Sequence, residues 1–251
     1  MKKFLLKLTL AYAICVILIG LFWGAFATKH IVLWPKNDSF GKARIYSDIR
    51  EGGFSTAEFF ESDSALAVRM VLNSGVYHPH AGVEIPLESG LRELALEGMD
   101  FSNMDSVVLR FRASSDVVLV LDVADPQVSR AGDPLTLRPL KMDIPATRFY
   151  SEVRLPLSLL KPSKIWFDIH GIEPDSSLYM NRVVQAAVES GKGTLLGFPT
   201  EIEILQWEFT GKNRSVIRLS IGLLILFSCL YSAGVKNRWK KNPTLKKKKL
   251  R

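Results

Sequence analysis

Two long stretches with almost no charge stand near the ends of the chain, at residues 8–27 and 216–235. The only charged residue in them is Arg218, whose side chain can extend toward the membrane interface. A helix of about twenty residues rises about 30 Å, which is the thickness of the hydrocarbon core of a bilayer. We therefore expect two transmembrane helices, with one domain at residues 29–214 between them.

Between these stretches, apolar and polar residues alternate in short runs that are separated by turn residues such as glycine and proline. Alternation with a period of two is typical of β-strands that bury one face. The predicted strands cover residues 64–72, 106–113, 148–157, 164–172 and 201–209, and an unbroken aliphatic run predicts a further, buried strand at residues 117–123. Two short helices are also predicted, over residues 91–97 and 177–189. The pattern predicts an all-β antiparallel sandwich with a short helical insertion, flanked by two transmembrane helices.

The charge of the chain is concentrated at its ends. The sequence has 33 Lys and Arg against 25 Asp and Glu, a formal net charge of +8. The flanks at residues 1–7 and 236–251 hold 12 of the cations and no acid, so the rest of the chain has a net charge of −4. A nucleic-acid-binding domain needs a positive face of its own, and the net charge gives no support for one, so no nucleic-acid partner is expected. Positive flanks mark the cytoplasmic side of a membrane. We therefore expect both termini on the cytoplasmic side of a bacterial inner membrane and the domain on the other side, periplasmic or extracellular.

The first apolar stretch is also open to a second interpretation. Ala25, Phe26 and Ala27 have the layout of a signal-peptide cleavage site. Signal-peptide cores usually have about 7 to 15 residues, and the greater length of this stretch favours a retained anchor. The domain is exported in either case. Both cysteines, Cys15 and Cys229, lie in the apolar stretches, so the domain is expected to fold without disulfide bonds.

Four segments of the domain carry a resemblance to a known superfamily, at residues 80–87, 99–112, 149–158 and 202–209. Their order resembles the galactose-binding-like jelly roll, which carbohydrate-binding modules share with the complex I intermediate-associated protein family. The resemblance covers roughly residues 45–210 and implies a jelly-roll fold, with a sugar or glycan as the expected ligand. The helical insertion expected around residues 177–197 departs from the family pattern.

The polar phase of the predicted strands supplies the main candidate ligand-binding residues, which are Arg110, Arg112, Glu152, Arg154, Trp166, Asp168 and His170. Apolar stacking beside charge-assisted hydrogen bonds is the chemistry that sugar recognition uses. The alternative is that these side chains form the solvated face of a half-buried sheet, where opposite charges pair across strands.

A second candidate ligand-binding segment contains Tyr77, His78 and His80. The two imidazoles could bind a transition metal, and the tyrosine ring could stack on a ligand. A zinc site needs three or four ligands, and no third His or Cys follows at a usual spacing. Loop histidines without a metal are the alternative, so the metal remains unknown.

No cofactor is expected apart from a structural calcium ion, which jelly-roll modules often carry. Asp122, Asp125 and Asp133 lie around the end of a predicted strand and could supply oxygen ligands to it. Ordinary turn chemistry is the alternative, since aspartates are common in turns.

The sequence contains no Gly-x-Ser-x-Gly or His-Glu-x-x-His motif that indicates catalysis. We therefore expect a non-catalytic, membrane-anchored domain that binds a ligand of the carbohydrate or glycan class and acts like a sensor through a membrane partner. The expected partners are the lipid bilayer, the glycan and a membrane or envelope protein. The alternative is a structural or assembly factor for an envelope or membrane complex.

Overall fold

The computed structural model describes residues 2–35, 39–60, 62, 64–87 and 96–240. The chain divides into two compact units. One unit is formed by the terminal segments up to Lys29 and from Lys212, and the other by His30–Gly211. The first unit is helical, and the second is built of β-strands with one short α-helix. The α-helices are α1 (Lys2–Phe26), α2 (Lys164–His170) and α3 (Arg214–Lys240).

The helical unit is a pair of antiparallel helices. Tyr12 of α1 stacks on Tyr231 of α3 with ring centroids 4.8 Å apart, and Arg238 lies over the ring of Phe4. The Tyr12 hydroxyl is also 2.9 Å from Ser228 Oγ. Segments of 24 and 25 residues in α1 and α3 are long and apolar enough, by length and composition, to cross a membrane. The two helices predicted from the apolar stretches are therefore confirmed as helices.

The β unit contains two sheets, and among the described residues the strand pairings whose register is defined are antiparallel. The strands are β1 (Thr28–Trp34), β2 (Arg44–Ser47), β3 (Thr56–Phe59), β4 (Leu66–Val71), β5 (Ala81–Pro86), β6 (Met104–Ala113), β7 (Val117–Val123), β8 (Arg138–Ile144), β9 (Ser151–Pro156), β10 (Lys161–Pro162), β11 (Val183–Ser190) and β12 (Pro199–Lys212). Sheet A has the order β3-β4-β12-β6-β9, with β1 beside β12. Sheet B has the order β10-β8-β7-β11-β5-β2.

The hydrophobic core of the β unit joins residues from both sheets. Val107, Leu109 and Phe111 of β6 are buried in it, as the alternation in the sequence predicts. Phe209 of β12 packs on Phe101 with ring centroids 4.9 Å apart. Burying a side chain of this size stabilises the fold by about 1.5 to 3 kcal/mol. The predicted antiparallel sandwich is confirmed.

The helix predicted over residues 177–189 is wrong, because Val183–Ser190 is strand β11. Its residues are buried along their whole length between β7 and β5, so neither helical nor alternating periodicity is visible in the sequence. The adjacent Ala186 and Ala187 suit a helix as well as a crowded sheet centre. Tertiary pairing therefore decides the structure of this segment.

The strand predicted over residues 164–172 is also wrong, because Lys164–His170 is helix α2. Gly171 ends the helix in the left-handed conformation, with φ of 63°. A run of seven residues is too short for its hydrophobic period to distinguish a helix from a strand. Most of the helix predicted over residues 91–97 lies outside the described residues, and its last two residues form a turn.

Candidate functional site

The outward-facing side chains of sheet B form a polar cluster, which we call the polar floor. Alternation along β5 and β7 turns Val83 and Leu121 into the core and therefore turns Glu84 and Asp122 to the other side. The sheet order β8-β7-β11-β5-β2 brings residues far apart in sequence onto this face. The polar floor consists of Tyr46, Glu84, Asp122, Lys141, Gln185 and Glu189.

Tyr46 lies along the sheet rather than pointing away from it. It is paired across β2 and β5 with Gly82, and Gly82 is paired in turn with Glu189 of β11. The Tyr46 hydroxyl donates to Glu189 Oε2 at 2.7 Å, so its ring has to cross the intervening strand. Lys141 Nζ donates to the other carboxylate oxygen of Glu189 at 2.7 Å. The buried Glu189 therefore holds two partly exposed side chains in place.

A second part of the polar floor is built around an amide. Gln185 Nε2 donates to Asp122 Oδ2 at 2.7 Å and to Glu84 Oε2 at 3.4 Å. Arg50 reaches over the sheet to within 3.8 Å of Glu84. Burial raises the pKa of Asp122 to about 6, against the hydrogen bond from Gln185, and burial also raises the pKa of Glu84. The two carboxyl groups therefore share one donor in a poorly solvated site.

Of the three predicted residues in the Tyr77 segment, only His80 reaches the polar floor. Its ring centroid is 5.9 Å from that of Tyr46, and its Nε2 is 3.8 Å from Glu51 Oε1. Tyr77 is 92% exposed and contacts the ring of His78 in an edge-on arrangement at 4.5 Å. The structure therefore assigns His80 to the rim of the floor and leaves Tyr77 and His78 on an exposed loop.

Sheet A brings together four of the predicted ligand-binding residues on its outer face, at Arg110, Arg112, Glu152 and Arg154. Arg110 is paired in register with Glu152 across β6 and β9. Arg154 Nη1 donates to Thr210 Oγ1 at 3.2 Å. These interactions are the cross-strand pairing that a solvated sheet face also shows, and a ligand-binding role for them remains a prediction.

A shallow depression of about 400 Å³ lies at one edge of that face, lined by Arg112, Ala113, Ser114, Arg148, Glu201 and Glu203. Arg112 lies over the ring of Tyr150 at 5.0 Å, and both side chains donate hydrogen bonds to Glu203. Burial alone would raise the pKa of Glu203, but the hydrogen bonds from Arg112 and Tyr150 lower it below its ordinary value. The carboxylate acceptors of Glu203 are thus used within the protein.

The remaining predicted residues of this set lie on α2, away from sheet A. Trp166 is buried, 5.9 Å from the guanidinium of Arg138, so its predicted outward position is wrong. The reason is the helical period, which turns Trp166 and Phe167 inward together. Asp168 is exposed, and His170 Nε2 is 3.4 Å from Leu135 O on a neighbouring turn.

The three aspartates considered for calcium do not share a site. Asp122 belongs to the polar floor, whereas Asp125 pairs with the fully buried Arg138 at 3.2 Å. Asp133 accepts a hydrogen bond from the Leu135 backbone at the start of a short 3-10 helix. Among the described residues, no group of three or more His, Cys, Asp or Glu could hold a metal ion. The calcium ion stays a prediction without an assigned site.

Several residues of interest were missed by reasoning from the sequence, namely Tyr46, Glu84, Lys141, Gln185, Glu189, Tyr150 and Glu203. Gln185 and Glu189 are missed because the sequence predicts a helix where the structure has strand β11. Lys141 had a usable signal, since it lies between Leu140 and Met142 in an alternating stretch. No signal links Tyr46 to Glu189, because their contact depends on sheet order over 143 positions.

Comparison with known proteins identifies solved structures whose fold is similar to that of the β unit. No family model and no curated protein sequence matches the chain. A family 11 carbohydrate-binding module of a cellulosomal cellulase of Clostridium thermocellum matches with 9% identity and a TM-score of 0.50, over 73% of this chain and 94% of the module. A family 11 module from the same organism, in complex with a β-1,3-1,4-mixed-linked tetrasaccharide, matches with 8% identity and a TM-score of 0.48, over 74% and 96%. The first likeness shows the fold, and the predicted jelly-roll sandwich is confirmed.

Proposed function

We propose that this protein is a non-catalytic, membrane-anchored carbohydrate-binding protein whose ligand lies on the polar floor of sheet B. The observation that carries the proposal is the arrangement of Tyr46, whose hydroxyl is fixed to Glu189 while the ring lies across the sheet. A ring held in this way offers one face to a ligand, and sugar rings stack their apolar face on aromatic side chains.

The groups around Tyr46 supply the polar half of sugar recognition. Lys141 has 39% of its side chain exposed and keeps donor capacity beyond its bond to Glu189. His80 and Arg50 extend over the same face from neighbouring loops. A hydroxyl group both donates and accepts, so donors beside carboxylate and amide groups suit a polyol better than a purely anionic ligand.

Membrane anchoring is supported by the two terminal helices. Both are long and apolar enough to cross a bilayer, and their antiparallel contacts agree with two crossings that leave both termini on one side. The basic flanks make that side the cytoplasm, and the β unit then lies outside a bacterial inner membrane. A sensor-like action through a membrane partner follows as part of the proposal.

The proposal is tested with the full chain in lipid nanodiscs, applied to an array of neutral and acidic glycans. We expect saturable binding to one glycan class and no release of free sugar during incubation. Tyr46→Ala should remove the stacking face and weaken the affinity about tenfold, which corresponds to about 1.4 kcal/mol. Tyr46→Phe keeps the ring but loses the hydrogen bond to Glu189 that holds it, so we expect an affinity between those of Tyr46→Ala and the unaltered chain.

Tyr77→Ala is the matched control, since it removes a tyrosine that is 92% exposed and lies off the floor. This variant should bind glycan like the unaltered chain. If the full chain binds no glycan on the array, or if it releases sugar from one, the proposal is wrong.

A further inference from the structure

One end of the jelly roll carries an unusual number of exposed apolar side chains. Strand β12 starts at this end with Pro199, paired with Val71, and runs to Lys212 at the other end, where the chain leads into α3. We call the loops that begin or end near Pro199 the distal loops, because they lie at the end of β12 opposite Lys212. They carry what we call the apolar crown, which consists of Phe54, Tyr77, Phe149, Leu195, Leu196 and Phe198, each more than half exposed.

The distal loops contact one another, so the crown side chains lie together at one end of the β unit. A side chain at Gly75 would come within 2.6 Å of the Phe54 ring, which shows how closely the β2–β3 and β4–β5 loops approach. The Gly197 amide donates to Leu72 O at 2.7 Å and joins the β11–β12 loop to them. Ser115 Oγ lies 3.1 Å from Thr194 Oγ1, and Asp116 Oδ1 accepts from the backbone of Ala146, which connects the Phe149 loop.

The exposed area of the apolar crown is larger than that of the apolar patches usual on monomeric proteins. Six side chains of this kind at half exposure or more present roughly 700 to 900 Å². The largest apolar patch on a monomeric protein is about 300 to 600 Å². A standard protein–protein interface buries about 800 Å² on each partner. The crown is therefore large enough to be the buried centre of an interface.

The charges near the apolar crown favour a protein over a bilayer as its partner. Among charged side chains that are at least partly exposed, three cations on or beside the distal loops, at Arg50, Arg148 and Lys192, are accompanied by three acids, at Glu51, Asp116 and Asp143. Lys192 is paired with Asp143 at 2.8 Å. A tip that inserts into anionic lipid has an excess of Lys and Arg around its apolar residues. A balanced charged rim around an aromatic centre is the composition of a protein interface.

We infer that the apolar crown is the docking surface for a second, different protein, and that this partner presents a complementary apolar surface with a mixed-charge rim. None of the six crown residues belongs to the polar floor, although Arg50 and His80 at the rim of the floor lie on the loops that also carry Phe54 and Tyr77. Leu196 lies on a different loop, so substituting it tests partner docking without changing a group of the floor. Such a surface is what a sensor that acts through a partner protein, or an assembly factor, requires.

The test uses the photo-reactive amino acid benzoylphenylalanine, placed at position 196 of the full chain in cells that naturally contain it. Leu159 is the matched control site, since it is 49% exposed against 53% for Leu196 and lies outside the distal loops. We expect one discrete protein adduct from position 196 and none from position 159. The partner, identified by mass spectrometry and purified, should bind the full chain in nanodiscs, and Leu196→Glu should weaken that binding at least tenfold.

Leu159→Glu should change the affinity for the purified partner less than twofold, and Leu196→Glu should leave glycan binding unchanged. Failure of the docking surface is thus distinguishable from failure of the carbohydrate site. The inference is overturned by an adduct of twice the chain mass, which indicates a second copy, or by adducts with lipid alone. It is equally overturned if no adduct forms or if positions 159 and 196 give the same adduct.

Discussion

Asp122 is a side chain of the polar floor whose charged form destabilises the folded state. Its carboxyl group is held in a poorly solvated position by the sheet, and burial raises its pKa to about 6. Gln185 donates a hydrogen bond to it, which partly offsets the loss of hydration. Groups with strongly shifted pKa values are concentrated at functional sites, although structural networks shift them as well.

The raised pKa of Asp122 makes stability depend on pH. Because the folded state binds this proton more tightly than the unfolded state, the free energy of unfolding is largest at low pH for this group. It decreases as pH rises from about 3.8 to about 6. Asp122→Asn should therefore be more stable than the unaltered chain at pH 7, by about 2 kcal/mol, and equally stable near pH 4.

Denaturant unfolding of the full chain, followed by tryptophan fluorescence at pH 4 and pH 7, measures this difference. Asp143→Asn is the control, since Asp143 faces the same side of sheet B but is 59% exposed. It should reproduce the pH dependence of the unaltered chain. An Asp122→Asn variant that loses stability with rising pH as steeply as the unaltered chain would contradict the assignment.

Close packing of strands β5 and β11 allows the Tyr46 side chain to cross the sheet. At Gly82 an added Cβ would lie 2.3 Å from Val188 O, which is backbone and cannot turn aside. Gly82→Ala should therefore cost on the order of 3 kcal/mol and separate Tyr46 from Glu189. Gly132 is the comparison, because a Cβ added there would contact no atom within 4 Å. The only cost of Gly132→Ala is that of the left-handed backbone, with φ of 80°, which is about 1 kcal/mol. Thermal unfolding measures the stability of both variants. If Gly132→Ala is the less stable of the two, the close spacing of β5 and β11 is wrong.

The elements differ in how far the sequence predicts them. Strands β4, β6, β9 and β12 are predicted because one face of each is buried and the other is solvated, so their sequences alternate. Strands β7 and β11 are both buried and show no alternation. Strand β7 is predicted from its unbroken run of Val and Leu, whereas Gln185, Ala186 and Ala187 interrupt such a run in β11. Helix α2 is shorter than two helical turns, and its clearest signal is Gly171 at the C-cap.

The same difference governs the candidate site. The sequence correctly predicts one shared outer face for Arg110, Arg112, Glu152 and Arg154. These residues lie on β6 and β9, which are neighbours in the sheet and whose sequences alternate between apolar and polar residues. The polar floor could not be assembled in this way. Its members come from five strands, and their contacts require the order of sheet B, which no local pattern contains.

For the whole molecule, the contacts between α1 and α3 favour a first helix that is retained. Tyr12 stacks on Tyr231, and a Cβ at Gly234 would lie 3.1 Å from Leu8 Cδ2, so the helices approach closely at these residues. Intact mass measurement of the membrane-extracted protein should therefore find residues before Thr28 still attached. A mature form that starts at Thr28 would show that the segment is a cleaved signal peptide.

Affinity measurements on two substituted chains in nanodiscs test most directly which face of the jelly roll binds carbohydrate. Once the array has identified a glycan, its dissociation constant is measured by calorimetry for Tyr46→Ala on sheet B and for Arg112→Ala on sheet A. We predict a loss of about tenfold for the first and less than twofold for the second. The reverse result would place the ligand in the depression of sheet A and contradict the assignment of the polar floor.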